Sequence, residues 1–279
     1  MGGPGPLNTV VCSLLITLGA ALPLGTVARG SVFGPVYQEI LASFAGKESL
    51  SPCNIDERFG GQGASLRGVL GKKVEIEFCC EAFTTPRLRY VRMVSFAGQG
   101  YDVFNFLAVP APGCNMPLFG ADIVALPGGA LAAIDFQPLS SSPDYFTSHA
   151  AYSTNADKFR AWQNSFPPGG ELPAAAKKYF SPYALWTRLG PDSPVEASTA
   201  RLQLALLDYC HAYTQLLDST SSQGTTIASN SKSEDDSESF LSEYLTYRIE
   251  NDPAKRLLVG AFGLEWTEAV LNDVLFKRC

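Results

Sequence analysis

The chain has 279 residues, of which 46% are hydrophobic and 17% charged, a composition typical of a folded globular protein with ample material for a core. Its formal net charge of −6 argues against general nucleic-acid binding, which requires a strongly basic surface. No apolar run reaches the roughly 18 to 20 residues of a membrane span.

The first segment has the composition of a targeting leader. Residues 1 to 38 contain no acidic side chain, and Val10 to Leu24 is an apolar segment of signal-peptide length. Glycine and proline interrupt this segment, which disfavours the alternative of a buried first helix. The stretch ARGSVFGP resembles the junction of leaders for plastids acquired by secondary endosymbiosis. We therefore expect a cleaved leader over residues 1–33, a plastid location, and a single domain over residues 34–279.

The first half of the domain is predicted to be mainly strands. After a helix over Val36–Phe44, Ser49–Gly71 is a Gly/Ser-rich connection, and Val74–Phe83 alternates in the manner of a half-exposed strand. Arg87–Phe96 is a second alternating run. Asp102–Pro138 then holds three apolar runs separated by Pro/Gly breaks, which predict three neighbouring strands. Because the connections are short, we expect an antiparallel meander.

The second half is predicted to be mainly helical. Tyr183–Leu189 is an apolar strand-like run, and Ser219–Ser239 is a polar, low-complexity segment that we expect to be a flexible serine-rich loop. Strands grouped first and helices grouped after predict an α+β fold with helices packed on an antiparallel sheet. Helical spacing of apolar residues recurs over Asp157–Phe166, Pro194–Asp218, Phe240–Asn251 and Leu264–Phe276.

Three polar side chains fall inside the apolar runs of the predicted sheet. Asp122 and Asp135 are candidate proton donors, because desolvation raises the pKa of a buried carboxyl group toward neutrality. The alternative is an aspartate that accepts structural hydrogen bonds, which is favoured for Asp135 near the end of its run. The amide of Asn105 is more commonly satisfied by backbone groups, but it would also suit a pocket for a polar heterocycle.

Asp252 lies at the junction of two predicted helices. An N-cap followed by Pro253 at the first helical position would explain it structurally. Asp252 also follows the end of the preceding helix, however, where the dipole disfavours a carboxylate. Arg248 lies four residues earlier, within reach of Asp252. The pattern leaves a structural and a catalytic role equally open.

Motifs for bound cofactors are missing from the sequence. There is no CxxC pair, and His149 and His211 are the only histidines, so we expect no metal site. The segment GGQGAS at Gly60 lacks the spacing and the lysine of a phosphate-binding loop, so we expect no nucleotide cofactor. A redox reaction in this chain would need electrons from outside.

Three segments resemble the ferredoxin-dependent bilin reductases and occur in that family's order. They read NFLAVPAPGCNMPLFGADIVALPGGALAAIDFQPL, KYFSPYALWTRL and YRIENDPAKRLLVGAFGLEWTEAVLNDVLF, within Tyr37 to Phe276. The resemblance implies a three-layer α/β/α sandwich that holds an open-chain tetrapyrrole, a bilin, between a central antiparallel sheet and the C-terminal helices. It also implies no bound cofactor, reduced ferredoxin as electron donor, radical one-electron steps, and protein acids as proton donors.

The resemblance assigns roles by position. It implies catalytic roles for Asn105, Asp122 and Asp252. The phycocyanobilin-forming branch has histidine at the Asn105 position, and histidine and glutamate at the positions of Arg92 and Val94, so this chain departs from that branch. Phytochromobilin synthases have aspartate at the Asn105 position and no aspartate matching Asp122. The combination of Asn105, Asp122 and Asp252 in this chain resembles the phycoerythrobilin-forming enzymes.

Within that branch, SPYALWTRL and EWTEA resemble the enzyme that reduces the A-ring diene system of 15,16-dihydrobiliverdin to phycoerythrobilin. The alternatives are reduction of biliverdin at its 15,16 bond, or both steps in one enzyme. Arg92 and Arg248 are candidates to pair with the bilin propionates or to tune the acids, with Arg188 as a weaker candidate. A bilin carrier that attaches its chromophore through Cys79, Cys80 or Cys114 is the non-enzymatic alternative.

The resemblance also implies partners. Besides ferredoxin and the bilin, we expect an upstream bilin reductase that hands over its product. Plant-type ferredoxins are acidic, as is this chain, so docking requires a local basic patch. Two groups are candidates: Lys158, Arg160, Lys177 and Lys178, and Lys255, Arg256, Lys277 and Arg278.

Overall fold

The computed structural model describes residues 27–28, 30–71, 74–126, 128–142, 144–190, 195–222 and 231–278. The strands are β1 Ser51–Pro52, β2 Ser65–Leu70, β3 Val74–Thr84, β4 Leu88–Gly98, β5 Tyr101–Pro110, β6 Leu118–Leu126, β7 Gly129–Gln137 and β8 Leu185–Leu189. The helices are α1 Gly34–Ala45, α2 Tyr145–Ser148, α3 Ala150–Ser153, α4 Ala156–Asn164, α5 Val195–Ser222, α6 Ser231–Asn251, α7 Lys255–Phe262 and α8 Leu264–Val270. A π-helical turn, Leu271–Leu275, continues α8, and 3₁₀ turns cover Glu57–Phe59 and Lys177–Tyr179.

The eight strands form one antiparallel sheet in the order β1-β3-β4-β5-β6-β7-β8, with β2 also paired to β3. Apolar residues of α1, α3, α4 and α5 pack on one face of the sheet, which we call the apolar face. Those of α6, α7 and α8 pack on the other, which we call the site face. The α+β class and the three-layer sandwich are thereby confirmed, as are three neighbouring strands within Asp102–Pro138. Within the described residues, no helix is both long and apolar enough to cross a membrane.

The prediction of a half-exposed strand at Val74–Phe83 is wrong, because helices cover both faces of the sheet. Glu77 and Glu81 on β3 are buried on the face opposite Phe78. The Tyr37 hydroxyl of α1 donates a hydrogen bond to Glu81 Oε2. The buried carboxylate is therefore compensated by a partner from the covering helix, which the alternation along β3 could not reveal.

The Gly/Ser-rich connection predicted over Ser49–Gly71 contains two strands, β1 and β2. The pairing of β2 runs from Ser65 opposite Cys79 to Leu70 opposite Val74. Gly68 breaks the strand pattern in the sequence, but a Cβ at this position would lie 2.5 Å from the Phe262 ring. Glycine is required here because α7 crosses the strand at close range.

The serine-rich loop predicted over Ser219–Ser239 is partly wrong. Helix α5 continues to Ser222 and α6 begins at Ser231, while residues 223–230 lie outside the described residues. Glu238 of α6 forms an ion pair with Arg89 of β4. Phe240, two residues further on, is buried in the core on the site face, so packing accounts for helix in a polar sequence.

The segment before α1 packs against the sheet. Ala28 donates its backbone N–H to Ser95 Oγ at 2.8 Å, and Phe33 is fully buried. Ser31 Oγ and the Val32 N–H both bind the carboxylate of Asp102 on β5. The leader over residues 1–33 stays a prediction; a chain that began at residue 34 would lose these contacts.

Candidate functional site

The predicted site residues on the sheet are direct neighbours. Asn105 on β5 pairs with Asp122 on β6, so both side chains lie on the site face, and both are half-buried. The residues flanking them, including Phe104, Phe106 and Ile123, point to the apolar face and are fully buried. The strand period of two therefore separates the polar groups from the packing residues.

One arginine joins both predicted acids. Arg248 Nη2 of α6 lies 2.7 Å from Asp122 Oδ2 and 3.0 Å from Asp252 Oδ2. The Asp122 side chain is 20% exposed, whereas that of Asp252 is 3% exposed. Burial raises the pKa of Asp252, and the charge of Arg248 opposes this rise. Asp252 Oδ1 also accepts the Ala254 N–H at 2.8 Å, so it combines a helix-start contact with its place in the site.

Arg92 lies beside Asn105 but is held by the protein. Its Nε donates to the Leu275 carbonyl at 2.6 Å, and its Nη1 donates to the side-chain oxygen of Asn105. The guanidinium carbon lies 5.4 Å from the Phe276 ring centroid, and burial lowers the pKa of Arg92. These contacts indicate that Arg92 orients the Asn105 amide and anchors the C-terminal turn.

Asp135 belongs to the same site, although its position near a strand end favoured a structural role. Its side chain is almost fully buried, on the face that carries Asp122. It accepts the Ser181 N–H at 2.7 Å and the Ser181 hydroxyl at 2.5 Å. Burial raises the pKa of Asp135 to about 7, and the Ser181 bonds limit that rise. It therefore has a structural partner and a proton affinity near neutrality.

Gln137 is a site residue that the sequence did not predict. It follows Asp135 by two residues, so it faces the same side of β7, and its side chain is buried. The period-two spacing from Asp135 was the available signal, but an amide at the end of a strand has many ordinary explanations.

Two small cavities meet at Asn105 and Asp122, which line both. One, of about 10 Å³, is also lined by Asp135, Gln137, Arg248 and Phe276. The other, of about 30 Å³, extends past Asp252 to the apolar side chains of α7. Each has room for one or two waters at most, so a larger ligand requires the C-terminal cover to move.

Arg188 is not brought to this cluster. It is exposed on the edge strand β8, on the site face, and belongs to neither set of residues that line the two cavities.

The three cysteines that were candidates for chromophore attachment are poorly suited to that reaction. Cys79 and Cys80 are buried, and desolvation raises the pKa of each to about 12. Burial raises the pKa of Cys114 as well, so all three are poor nucleophiles near neutral pH.

The two basic groups differ in their relation to the site. Lys177 and Lys178 are paired with Glu171 and Glu243, and the rest of the first group lies on α4, against the apolar face. The second group flanks site residues directly. Lys255 and Arg256 begin α7 just after Asp252, and Lys277 and Arg278 follow Phe276.

Among the residues that the structure describes, no cluster of three His, Cys, Asp or Glu side chains could hold a metal ion.

Comparisons with known proteins show the family of the chain. A family model described as ferredoxin-dependent bilin reductase matches residues 37–277. The phycoerythrobilin:ferredoxin oxidoreductase of Parasynechococcus marenigrum (strain WH8102) is 34% identical over 232 residues, which cover 81% of this chain and 84% of that protein. Its counterpart in Gloeobacter violaceus is 33% identical over 256 residues, with coverages of 88% and 95%. The crystal structure of tomato phytochromobilin synthase in complex with biliverdin matches with a TM-score of 0.73 and 25% identity, covering 88% of this chain and 82% of that one.

Proposed function

The chain belongs to the ferredoxin-dependent bilin reductase family, and from this premise we propose that it reduces the A-ring diene system of 15,16-dihydrobiliverdin to give phycoerythrobilin. Two observations support this step. The relatives named above, at 33–34% identity, are phycoerythrobilin:ferredoxin oxidoreductases. The site also combines Asn105 and Asp122 on the sheet with Asp252 on the helical side, which is the observation that carries the proposal.

The bilin lies on the site face, between the sheet and the C-terminal helices. Gly120 and Ala133 on β6 and β7 are small and half-exposed, so the sheet is accessible beside Asp122. Phe276 covers the cavity from the other side, and its ring lies 4.9 Å from the Arg248 guanidinium carbon. Entry of the bilin requires Phe276 and the π-helical turn before it to move outward. The exposed Arg188, on the same face, is then available to a propionate at the rim.

The number of acids matches the chemistry. Conversion of dihydrobiliverdin to phycoerythrobilin adds two electrons and two protons. Two reduced ferredoxins each give one electron, and Asp122 and Asp252 each give one proton. Asp122 acts toward the central pyrroles and Asp252 toward the A ring. A local proton transfer after each electron neutralises the added charge in a site from which most water is excluded.

Arg248 provides the control of proton donation. In the free enzyme its charge opposes the burial-driven rise in the pKa of Asp252. A substrate carbonyl that accepts a hydrogen bond from the guanidinium weakens this effect, so Asp252 binds a proton more firmly in the complex. Binding of the bilin thereby favours the protonated, donating form of Asp252. The half-buried amide of Asn105, held by Arg92, positions the neighbouring pyrrole edge.

Ferredoxin docks at the second basic group, Lys255, Arg256, Lys277 and Arg278. These residues are continuous in sequence with Asp252 and Phe276, so a partner bound there brings its iron–sulfur cluster close to the bilin. Local basic charge attracts the acidic ferredoxin despite the net charge of −6. An upstream bilin reductase that supplies dihydrobiliverdin would present its product at the same face.

We also propose that the leader, residues 1–33, directs the protein to a plastid, on the strength of the acid-free, apolar N-terminal composition. A fusion of residues 1–33 to a fluorescent protein should reach plastids, and cytosolic fluorescence would refute the assignment.

The reaction is tested by product identification with each bilin supplied separately. Anaerobic enzyme, a ferredoxin-reducing system and 15,16-dihydrobiliverdin should yield phycoerythrobilin by chromatography, while biliverdin should give no product. Formation of dihydrobiliverdin from biliverdin would assign the 15,16 step instead. A bound-bilin spectrum that does not change when reduced ferredoxin is added would indicate a carrier.

A further inference from the structure

Two buried polar atoms in the substrate cleft have no hydrogen-bond partner. Of the described side chains, only Gln137, His149 and Arg248 have such an atom, and two of these three line the cavity beside Asp122. The atoms are Gln137 Oε1, an acceptor, and Arg248 Nε, a donor. Buried polar groups in folded proteins are almost always paired, so an orphaned acceptor and an orphaned donor in one cavity point to a ligand.

The space in front of the Gln137 oxygen is kept clear. Gly120 on β6 lies next to it, and a Cβ at this position would come within 3.0 Å of Oε1. The Tyr244 phenol of α6, which lines the same cavity, lies next to the Gln137 amide. Each carboxylate oxygen of Asp135 already accepts a hydrogen bond from Ser181. Gln137 Oε1, in contrast, accepts none, so it is the unused acceptor at this end of the cavity.

The ligand must present one donor and one acceptor together. A lactam does so, since its ring N–H lies beside its carbonyl oxygen, and both terminal rings of a bilin are lactams. We infer that Gln137 and Arg248 bind the A-ring lactam of the bilin, the ring N–H donating to Gln137 Oε1 and the ring carbonyl accepting from the Arg248 Nε–H.

The ring is identified by its neighbours. Arg248 also binds Asp252, the acid assigned to the A ring, so a lactam on the Arg248 Nε lies close to that proton donor. Since the proposed function places proton donation at the A-ring diene, the inference rests on that function for the choice of ring. It makes Gln137 a specificity-determining residue, which places the ring to be reduced against the acids.

Binding of biliverdin without ferredoxin tests the inference, because biliverdin has the same A-ring lactam. Absorbance titration should show a dissociation constant about 10- to 100-fold higher for Gln137→Leu than for wild type, as expected when a buried hydrogen bond loses its acceptor. Gln137→Glu keeps an acceptor oxygen, ionised or protonated, and should bind within about threefold of wild type. Gln203→Leu, whose amide binds the Val32 carbonyl on the other side of the sheet, is the matched control and should not change binding.

The second part of the test changes the bilin instead of the protein. Biliverdin methylated on the A-ring nitrogen should bind wild type as weakly as biliverdin binds Gln137→Leu, and the two changes should not add. Wild-type affinity in Gln137→Leu, additive effects, or equal losses in Gln137→Leu and Gln137→Glu would each overturn the inference. Because no electron donor is present, this outcome is independent of which bond the enzyme reduces, and product identification with wild type judges the proposed reaction separately.

Discussion

The two faces of the sheet differ although they are built from the same strands. On the apolar face, Phe106, Phe119 and Phe136 are fully buried and pack ring against ring beneath α5. On the site face of these strands, Asn105 and Asp122 are half-buried and polar. Because side chains alternate along a strand, one register provides stability on one side and chemistry on the other.

The polar groups of the site are compatible with a stable fold for two reasons. Four charged side chains, Asp122, Asp252, Arg92 and Arg248, are gathered in one place, and their formal charges cancel. Such a cluster contributes little net stability, and breaking it is costly. Buried apolar side chains on both faces of the sheet carry the folding free energy that the charge cluster does not provide.

The largest effect on stability is expected on the apolar face. Phe119→Ala should lower the free energy of unfolding by about 3–5 kcal/mol, because Phe119 is fully buried and contacts the rings of Phe106 and Tyr213. Turnover per folded molecule should stay unchanged. Val124→Ala, on the site face of the same strand, is the control and should cost much less. Denaturant unfolding measures both, and equal losses would contradict the division between the faces.

Removal of Arg248 should destabilise the fold in a pH-dependent manner. Arg248→Leu removes the ion-pair partner of the half-buried Asp122 and the buried Asp252, at a cost of about 3 kcal/mol near neutral pH. Without Arg248, burial raises the pKa of Asp252 further, and a raised folded-state pKa gives stability at low pH that is lost as pH rises. Unfolding at pH 5 and pH 8 should therefore show the larger deficit at pH 8. A deficit independent of pH would contradict the charge cluster.

Asp135 should give a pH dependence of its own. Its folded-state pKa of about 7 is above the ordinary value, so its contribution is full below about pH 4 and is lost as pH rises toward 7. Stability of wild type minus that of Asp135→Asn should fall by up to about 1.4 kcal/mol per pH unit over this window. The difference should be flat above about pH 8. A flat difference from pH 4 to pH 7 would show that Asp135 stays ionised.

The smallest effect concerns the docking surface. Lys255→Glu with Arg256→Glu should raise the KM for ferredoxin about tenfold at low salt, with little change in stability, because these residues begin α7 beside the site. Lys158→Glu with Arg160→Glu on α4 changes the net charge equally and is the control. Raised salt should reduce the difference between the variants. Equal effects of both pairs would place ferredoxin elsewhere.

Local patterns predicted much of the site. Pro/Gly breaks in the apolar stretch predicted the neighbouring strands that carry Asn105 and Asp122, whereas their common face depends on the register that pairs the two residues. The spacing of four residues between Arg248 and Asp252 predicted their contact, because helices bring such pairs together. In contrast, the bond from Arg248 to Asp122 joins residues 126 apart and depends on how α6 docks on the sheet.

Three features that sequence reasoning missed involve a covering element. Glu81 looked exposed because nothing in β3 indicates that α1 places Tyr37 over it. Arg92 looked free to bind a propionate, but the C-terminal turn brings the Leu275 carbonyl to its Nε. Strand β2 was hidden by Gly68, which α7 requires. In each case the partner comes from a distant segment, and local periodicity has no information about it.

The most direct test of the account is single-turnover reduction of bound 15,16-dihydrobiliverdin by Asp122→Asn, followed by time-resolved absorbance. Asn keeps the size and the site-face position of Asp122 but has no acidic proton to transfer. We expect normal bilin binding, electron uptake, and formation of phycoerythrobilin slowed by about 10²- to 10⁴-fold or diverted to another product. Phycoerythrobilin formed at the wild-type rate would remove Asp122 from the mechanism.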